Sequence, residues 1–141
     1  QAGQYAGQKD KYGIKRMGGL VGGTVTNNNL RIEYCTNNGN VFSQLGCRTG
    51  GFVGHNQATI VGCVNKGTIL ADITYASGEP QHGPGWACGY SGKKLVTQCA
   101  KGGRVGEWDT YKDNPGSAPE ATNDNALCYR NGEYFDPSQN Y

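Results

Sequence analysis

The chain has 141 residues, enough for one domain or part of a larger one. Its 24 glycines and 35% apolar content describe a chain that turns often and buries narrow stripes rather than a wide interior. A net charge of +2, from 13 basic and 11 acidic residues without a clustered basic face, gives no electrostatic case for nucleic acid. No apolar run of about 18 residues is present, so no membrane span is expected.

Helix-forming content is poor. No window carries apolar residues at i, i+3, i+4 and i+7, and Gly or Asn interrupts nearly every run, so little helix is expected. Residues 1–17 read as a polar N-terminal cap or the worn end of a preceding repeat. Gln1 opens a polar segment instead of a signal peptide, which makes a processed chain or a fragment the expectation. Within this segment, Lys9 to Arg16 is the densest cationic stretch, diluted by Asp10 and read as solvated.

Residues 18–105 contain three related segments. The first runs Gly19-Leu20-Val21-Gly22, then Ile32, Cys35, Gly39 and Val41. The second runs Gly51-Phe52-Val53-Gly54, then Ile60, Cys63, Gly67 and Ile69. The third reads Gly85-Trp86-Ala87-Cys88, then Val96, Cys99, Gly103 and Val105, with Cys88 at the last framing Gly. Each second half has one spacing: a β-branched residue three before the Cys, a Gly four after it, and another β-branched residue two beyond that Gly. The first halves are elastic, with ten, six and eight residues separating the fourth motif position from Ile32, Ile60 and Val96. Even steps are what insertions that preserve a strand's inward face would give.

One such unit cannot bury its few apolar anchors alone; stacked copies can. The expected fold is therefore all-β, a short parallel β-helix or β-solenoid of about three coils with irregular N- and C-terminal caps. At a strand spacing of about 4.8 Å, Leu20, Phe52 and Trp86 would form one internal column, Ile32, Ile60 and Val96 a second, and Val41, Ile69 and Val105 a third. The three-residue step from Ile32 to Cys35 demands a corner or bulge if both point inward. Asn37, Asn38 and Asn65 precede the inner Gly, where Asn tolerates left-handed backbone.

The six cysteines are compatible with an oxidising compartment, and their pairing is open. Cys35, Cys63 and Cys99 would form a column, read foremost as a ladder of small buried thiols. Cys47, Cys88 and Cys128 lie outside it and are the better candidates for bridges. There is no CxxC, and His55 and His82 make no zinc-finger pair, so neither a metal nor another cofactor is expected.

The Gly-Leu-Val-Gly opening at residues 19–22 and the segment from Ile32 to Val41, repeated from Gly51 to Ile69, resemble the GLUG motif family. The third segment departs at Trp86, Ala87 and Cys88. This resemblance implies a repeat in large secreted or surface proteins, often of gut bacteria of the Bacteroides type, including adhesin-like ones. It implies no catalytic residue.

Function, if any, belongs in the insertions and the C-terminal segment, because stacked rungs are committed to their neighbours. The insertion from Leu70 to Pro84 holds Asp72, Tyr75, Glu79 and His82. Beyond the last copy, residues 106–141 read as a C-terminal cap or linker; near their start lies the cluster Glu107, Trp108, Asp109, Tyr111, Lys112 and Asp113. Rings beside carboxylates suit a sugar surface, although Trp108 and Tyr111 would equally serve to cover the last coil. Pro115, Pro119 and Pro137 oppose regular ladders, and Arg130-Asn131-Gly132-Glu133 is a hairpin signal.

A glycosidase-like carboxylate pair, Glu107 with Asp109 or Asp72 with Glu79, has no spacing specificity, and His55 lacks a partnered nucleophile. The expectation is therefore a non-catalytic extracellular or cell-surface module, an adhesin-like scaffold or accessory subunit of a larger surface protein or of stacked partner subunits. The alternatives are a carbohydrate-binding or carbohydrate-active β-helix with glycans as partners, and a self-assembling filament subunit.

Overall fold

The computed structural model describes residues 15–24, 29–43, 47–71, 84–92, 96–121, 128–130 and 133–138. These form a short parallel β-solenoid of three coils. Coil one carries β1 (Lys15–Gly18), β2 (Val21–Gly23), β3 (Arg31–Glu33), β4 (Thr36–Asn37) and β5 (Val41–Ser43). Coil two repeats them as β6 (Cys47–Gly50), β7 (Val53–Asn56), β8 (Thr59–Val61), β9 (Val64–Asn65) and β10 (Ile69–Ala71). Coil three supplies β11 (Cys88–Ser91), β12 (Val96–Thr97), β13 (Ala100–Lys101) and β14 (Val105–Glu107). Equivalent strands pair in parallel: β3, β8 and β12; β4, β9 and β13; β5, β10 and β14; β2, β7 and β11; β1 with β6.

The constant half of the repeat stacks residue on residue. Ile32, Ile60 and Val96 are in register, as are Val41, Ile69 and Val105. The corner required between the β-branched residue and the Cys is a single left-handed residue in every coil. Tyr34 has φ 53°, Gly62 φ 65° and Gln98 φ 53°. That one residue turns the chain so that the anchor and the thiol both face the interior.

The elastic half stacks differently from its apolar pattern. Val53 pairs with Val21 on one side and with Cys88 on the other, and Gly50 bridges to Gly85. Ala87, not Trp86, therefore lies opposite Phe52, and Gly89, not Cys88, takes the place of Gly54. Trp86 still reaches Phe52, edge to face with ring centroids 6.3 Å apart, and both are fully buried. Leu20, the expected third member of that column, is 37% exposed on the outermost coil. With Gly89 in the fourth place, seven residues separate it from Val96, so the even steps do not persist. Turns between strands reset facing, which frees loop length from parity.

Backbone approach explains the glycine. A Cβ on Gly54 would stand 2.5 Å from the Arg48 carbonyl oxygen and 2.6 Å from the Met17 nitrogen. A Cβ on Gly89 would fall 2.6 Å from the Arg48 carbonyl carbon. β6 thus lies against β7 and β11 at a distance no side chain permits.

The asparagines act through their side chains. Neither Asn37 nor Asn65 has positive φ; both are buried, and the Asn37 amide donates to Asn65 Oδ1 at 2.8 Å. Asn37 also closes a local ring with Gly39, donating to its carbonyl and accepting from its N–H, while Asn65 donates to the Gly67 carbonyl. A second polar ladder links Asn56 to Ser91 Oγ at 3.2 Å and to the hydroxyl of Thr24 at 3.4 Å.

The C-terminal segment closes the last coil. The Val105 N–H donates to the Pro119 carbonyl, Ala121 donates to Gly103, and Cys99 donates to Pro137. β15 (Cys128–Arg130) extends the β11 sheet in parallel, and β16 (Glu133–Phe135) folds back antiparallel on it, with Arg130 opposite Glu133. The prolines that oppose regular ladders thus supply carbonyl acceptors to an edge that needs them.

Candidate functional site

Asp72, Tyr75, Glu79 and His82, the insertion residues singled out in the sequence, lie outside the described residues. The C-terminal candidates are described. Helix α1 (Trp108–Tyr111) follows directly from β14 and folds onto the outer face of the β5–β10–β14 sheet. Trp108 is only 9% exposed; it packs with Leu70 and Ala118, its ring centroid 5.8 Å from that of Phe42. The Tyr111 ring lies over Gly106, where a Cβ would meet it at 2.6 Å. Both rings thus cover strands. Asp109 is exposed, with a carboxylate oxygen 3.9 Å from Lys112 Nζ one turn on, a pair worth a few tenths of a kcal/mol at most (~0.3).

The thiol column is present. Cys35, Cys63 and Cys99 occupy equivalent corners and are not disulfide-bonded; Cys63 and Cys99 are buried, and Cys35 is half-buried. Each thiol donates within its own corner or to a neighbouring carbonyl: Cys99 to Thr97 O and Cys35 to Glu33 O, both at 3.3 Å, and Cys63 to Ile32 O at 3.7 Å. Burial pushes the Cys99 thiol up to about 12, and burial likewise raises that of Cys63. Such thiols are poor nucleophiles at neutral pH. Cys88 is buried opposite Val53, and the side chains of Cys47 and Cys128 lie outside the described residues.

His55 sits in a polar and aromatic cluster that sequence spacing did not reveal. Arg48 Nη1 lies 2.5 Å from His55 Nδ1, and the guanidinium stands 4.4 Å over the Tyr90 ring. The His55 and Tyr90 rings meet edge to face at 4.9 Å, and His55 Nε2 faces the Gln57 amide at 3.2 Å. Because a guanidinium only donates, Nδ1 is the acceptor of the Arg48 contact. The residues meet because β7 and β11 place 55 and 90 side by side while β6 brings residue 48 against them. Only the register, invisible in linear spacing, shows this.

Among the described residues no group of His, Cys, Asp and Glu is arranged to hold a metal ion, and no helix is long and apolar enough to cross a membrane. Comparison with protein-family models, curated proteins and solved structures found no match.

Proposed function

We propose that the chain is a non-catalytic repeat module displayed outside the cell, an adhesin-like scaffold or accessory segment of a larger surface protein. One observation carries this reading. Polar side chains inside the stack join coil to coil: Asn37 to Asn65, and Thr24 and Ser91 to Asn56. Buried polar ladders of this kind fix register and rigidity, which a spacer requires. The extracellular placement rests on the resemblance of residues 19–41 and 51–69 to the GLUG repeats.

The reading predicts that no polysaccharide is turned over. Release of reducing ends or unsaturated products from a panel of plant and host polysaccharides, lost on Glu107→Gln or Asp109→Asn, would contradict it. Display is tested separately, by protease shaving of intact cells expressing the native gene, which should remove the protein. A head-to-tail filament gains no support, because antiparallel β16 and the Pro119 and Pro137 carbonyls occupy the edge of the third coil.

A further inference from the structure

The corner residue of each coil has a left-handed backbone, a conformation that suits Gly62 and costs a bulky residue. Coil one places Tyr34 there, at φ 53° and 77% exposed. Gln98 takes the same backbone in coil three, so the corner belongs to the fold, and what sets Tyr34 apart is a large aromatic ring left exposed on it. The ring does not sway freely. It lies over Gly62 of the next coil, where a Cβ would stand 2.6 Å from ring carbons Cδ1 and Cε1, and the Tyr34 N–H donates to the Val61 carbonyl at 3.0 Å. Gly62 thus serves two ends: it takes the left-handed corner and leaves room for the ring above it.

The strand that leads into this corner is polar on its outer face. β3 turns Ile32 against the core and leaves Arg31 and Glu33 outside, their side chains 52% and 40% exposed and joined from Arg31 Nε to Glu33 Oε1 at 2.5 Å. The other large apolar residues exposed among the described residues, Leu20 and Val21, belong to the separate β2 sheet side of the coil. Among the described residues Tyr34 is therefore set apart from the other exposed apolar side chains, and it follows directly on the strand whose outer face carries Arg31 and Glu33, unlike the contiguous apolar patch of a protein interface. A pyranose ring matches it: C–H groups for the ring face, hydroxyl donors for Glu33 and hydroxyl acceptors for Arg31.

We infer that Tyr34, with Arg31 and Glu33, is a saccharide-binding platform on the corner of the first coil. Its physiological meaning rests on the display proposed above, but the binding itself does not. The test is ligand-observed saturation-transfer NMR on the full chain with methyl β-glucopyranoside, methyl β-galactopyranoside, methyl α-mannopyranoside and chitotriose, with cyclohexanol as a non-sugar control. At least one saccharide should receive saturation from the aromatic envelope. Its affinity should fall about tenfold in Tyr34→Gly, the change expected when one stacked ring is lost. Glycine accepts the left-handed corner, so this variant keeps the fold, and Tyr34→Phe should stay within about threefold of the wild type. Four results would overturn the inference: no saccharide saturated; equal transfer to cyclohexanol; equal binding by Tyr34→Gly; or self-association at high concentration that Tyr34→Gly abolishes, which would make the ring a contact between copies. None of these touches the scaffold reading, which turnover and display decide.

Discussion

Coils one and two carry the same repeat and are buried to different extents. Val53, Ile60, Cys63 and Ile69 of coil two are fully buried, while their equivalents Val21, Ile32 and Cys35 in coil one are exposed or half-buried, Val21 by 36%. Of these four positions only Val41 of the first coil matches its equivalent, Ile69, in being fully buried. The motif sets where a side chain points, and the number of neighbouring coils sets how much water it loses. Equivalent substitutions should therefore differ in cost by rung, which is the behaviour expected of a quasi-one-dimensional stack.

The largest expected effect lies where backbone meets backbone. Gly54→Ala places a methyl against the Arg48 carbonyl and Met17 nitrogen, neither of which can rotate away, and should destabilise by about 3 kcal/mol or more. Gly22→Ala, the same position in coil one, leaves 3.0 Å to the nearest atom and should cost clearly less, which urea melts of the two variants would show. Next in size, Asn65→Ala strands the Gly67 carbonyl and half of the Asn37 amide in the interior, at about 2 kcal/mol or more by the same measurement.

The thiols give a kinetic and a pH-dependent comparison. With iodoacetamide at pH 8, Cys35 should be alkylated well before Cys63 and Cys99, as mass spectrometry of partly labelled chains would report. Because the folded Cys99 thiol titrates near 12 instead of 9, its contribution to stability is complete below pH 9 and drains away as pH rises toward 12. Alkaline unfolding should consequently be shallower in Cys99→Ala, after allowance for its lower starting stability. The smallest effect is expected at the third corner, where Gln98→Gly relieves a left-handed backbone and should raise stability by about 1 kcal/mol.

The sequence made the constant half of the repeat legible because side-chain identity and backbone conformation coincide there. Ile32, Ile60 and Val96 stack as their spacing requires, and the three-residue step to each cysteine demanded the corner that the left-handed residue provides. The elastic half was harder to read because its pairing is governed by glycine. Aligning Trp86 with Phe52 follows apolar bulk, whereas the fold aligns Gly89 with Gly54 to admit β6, and bulk moves over by one residue.

The same holds for the asparagines, whose composition suggests turns and whose amides in fact join coils. Of the candidate site, the sequence marked Trp108 and Tyr111 by their aromatic character but not their direction, which a four-residue helix turns onto Phe42, Leu70 and Gly106. It gave no sign of Tyr34, whose exposure follows from a corner that only the stacked coils define.

The stacking itself is tested most directly by chemical denaturation of Ile32→Ala and Ile60→Ala. These remove the same atoms from the same position of successive coils. A parallel stack predicts a loss of about 3 kcal/mol or more for Ile60→Ala, buried between two coils, and no more than about half of that for Ile32→Ala. Equal losses would contradict the stack.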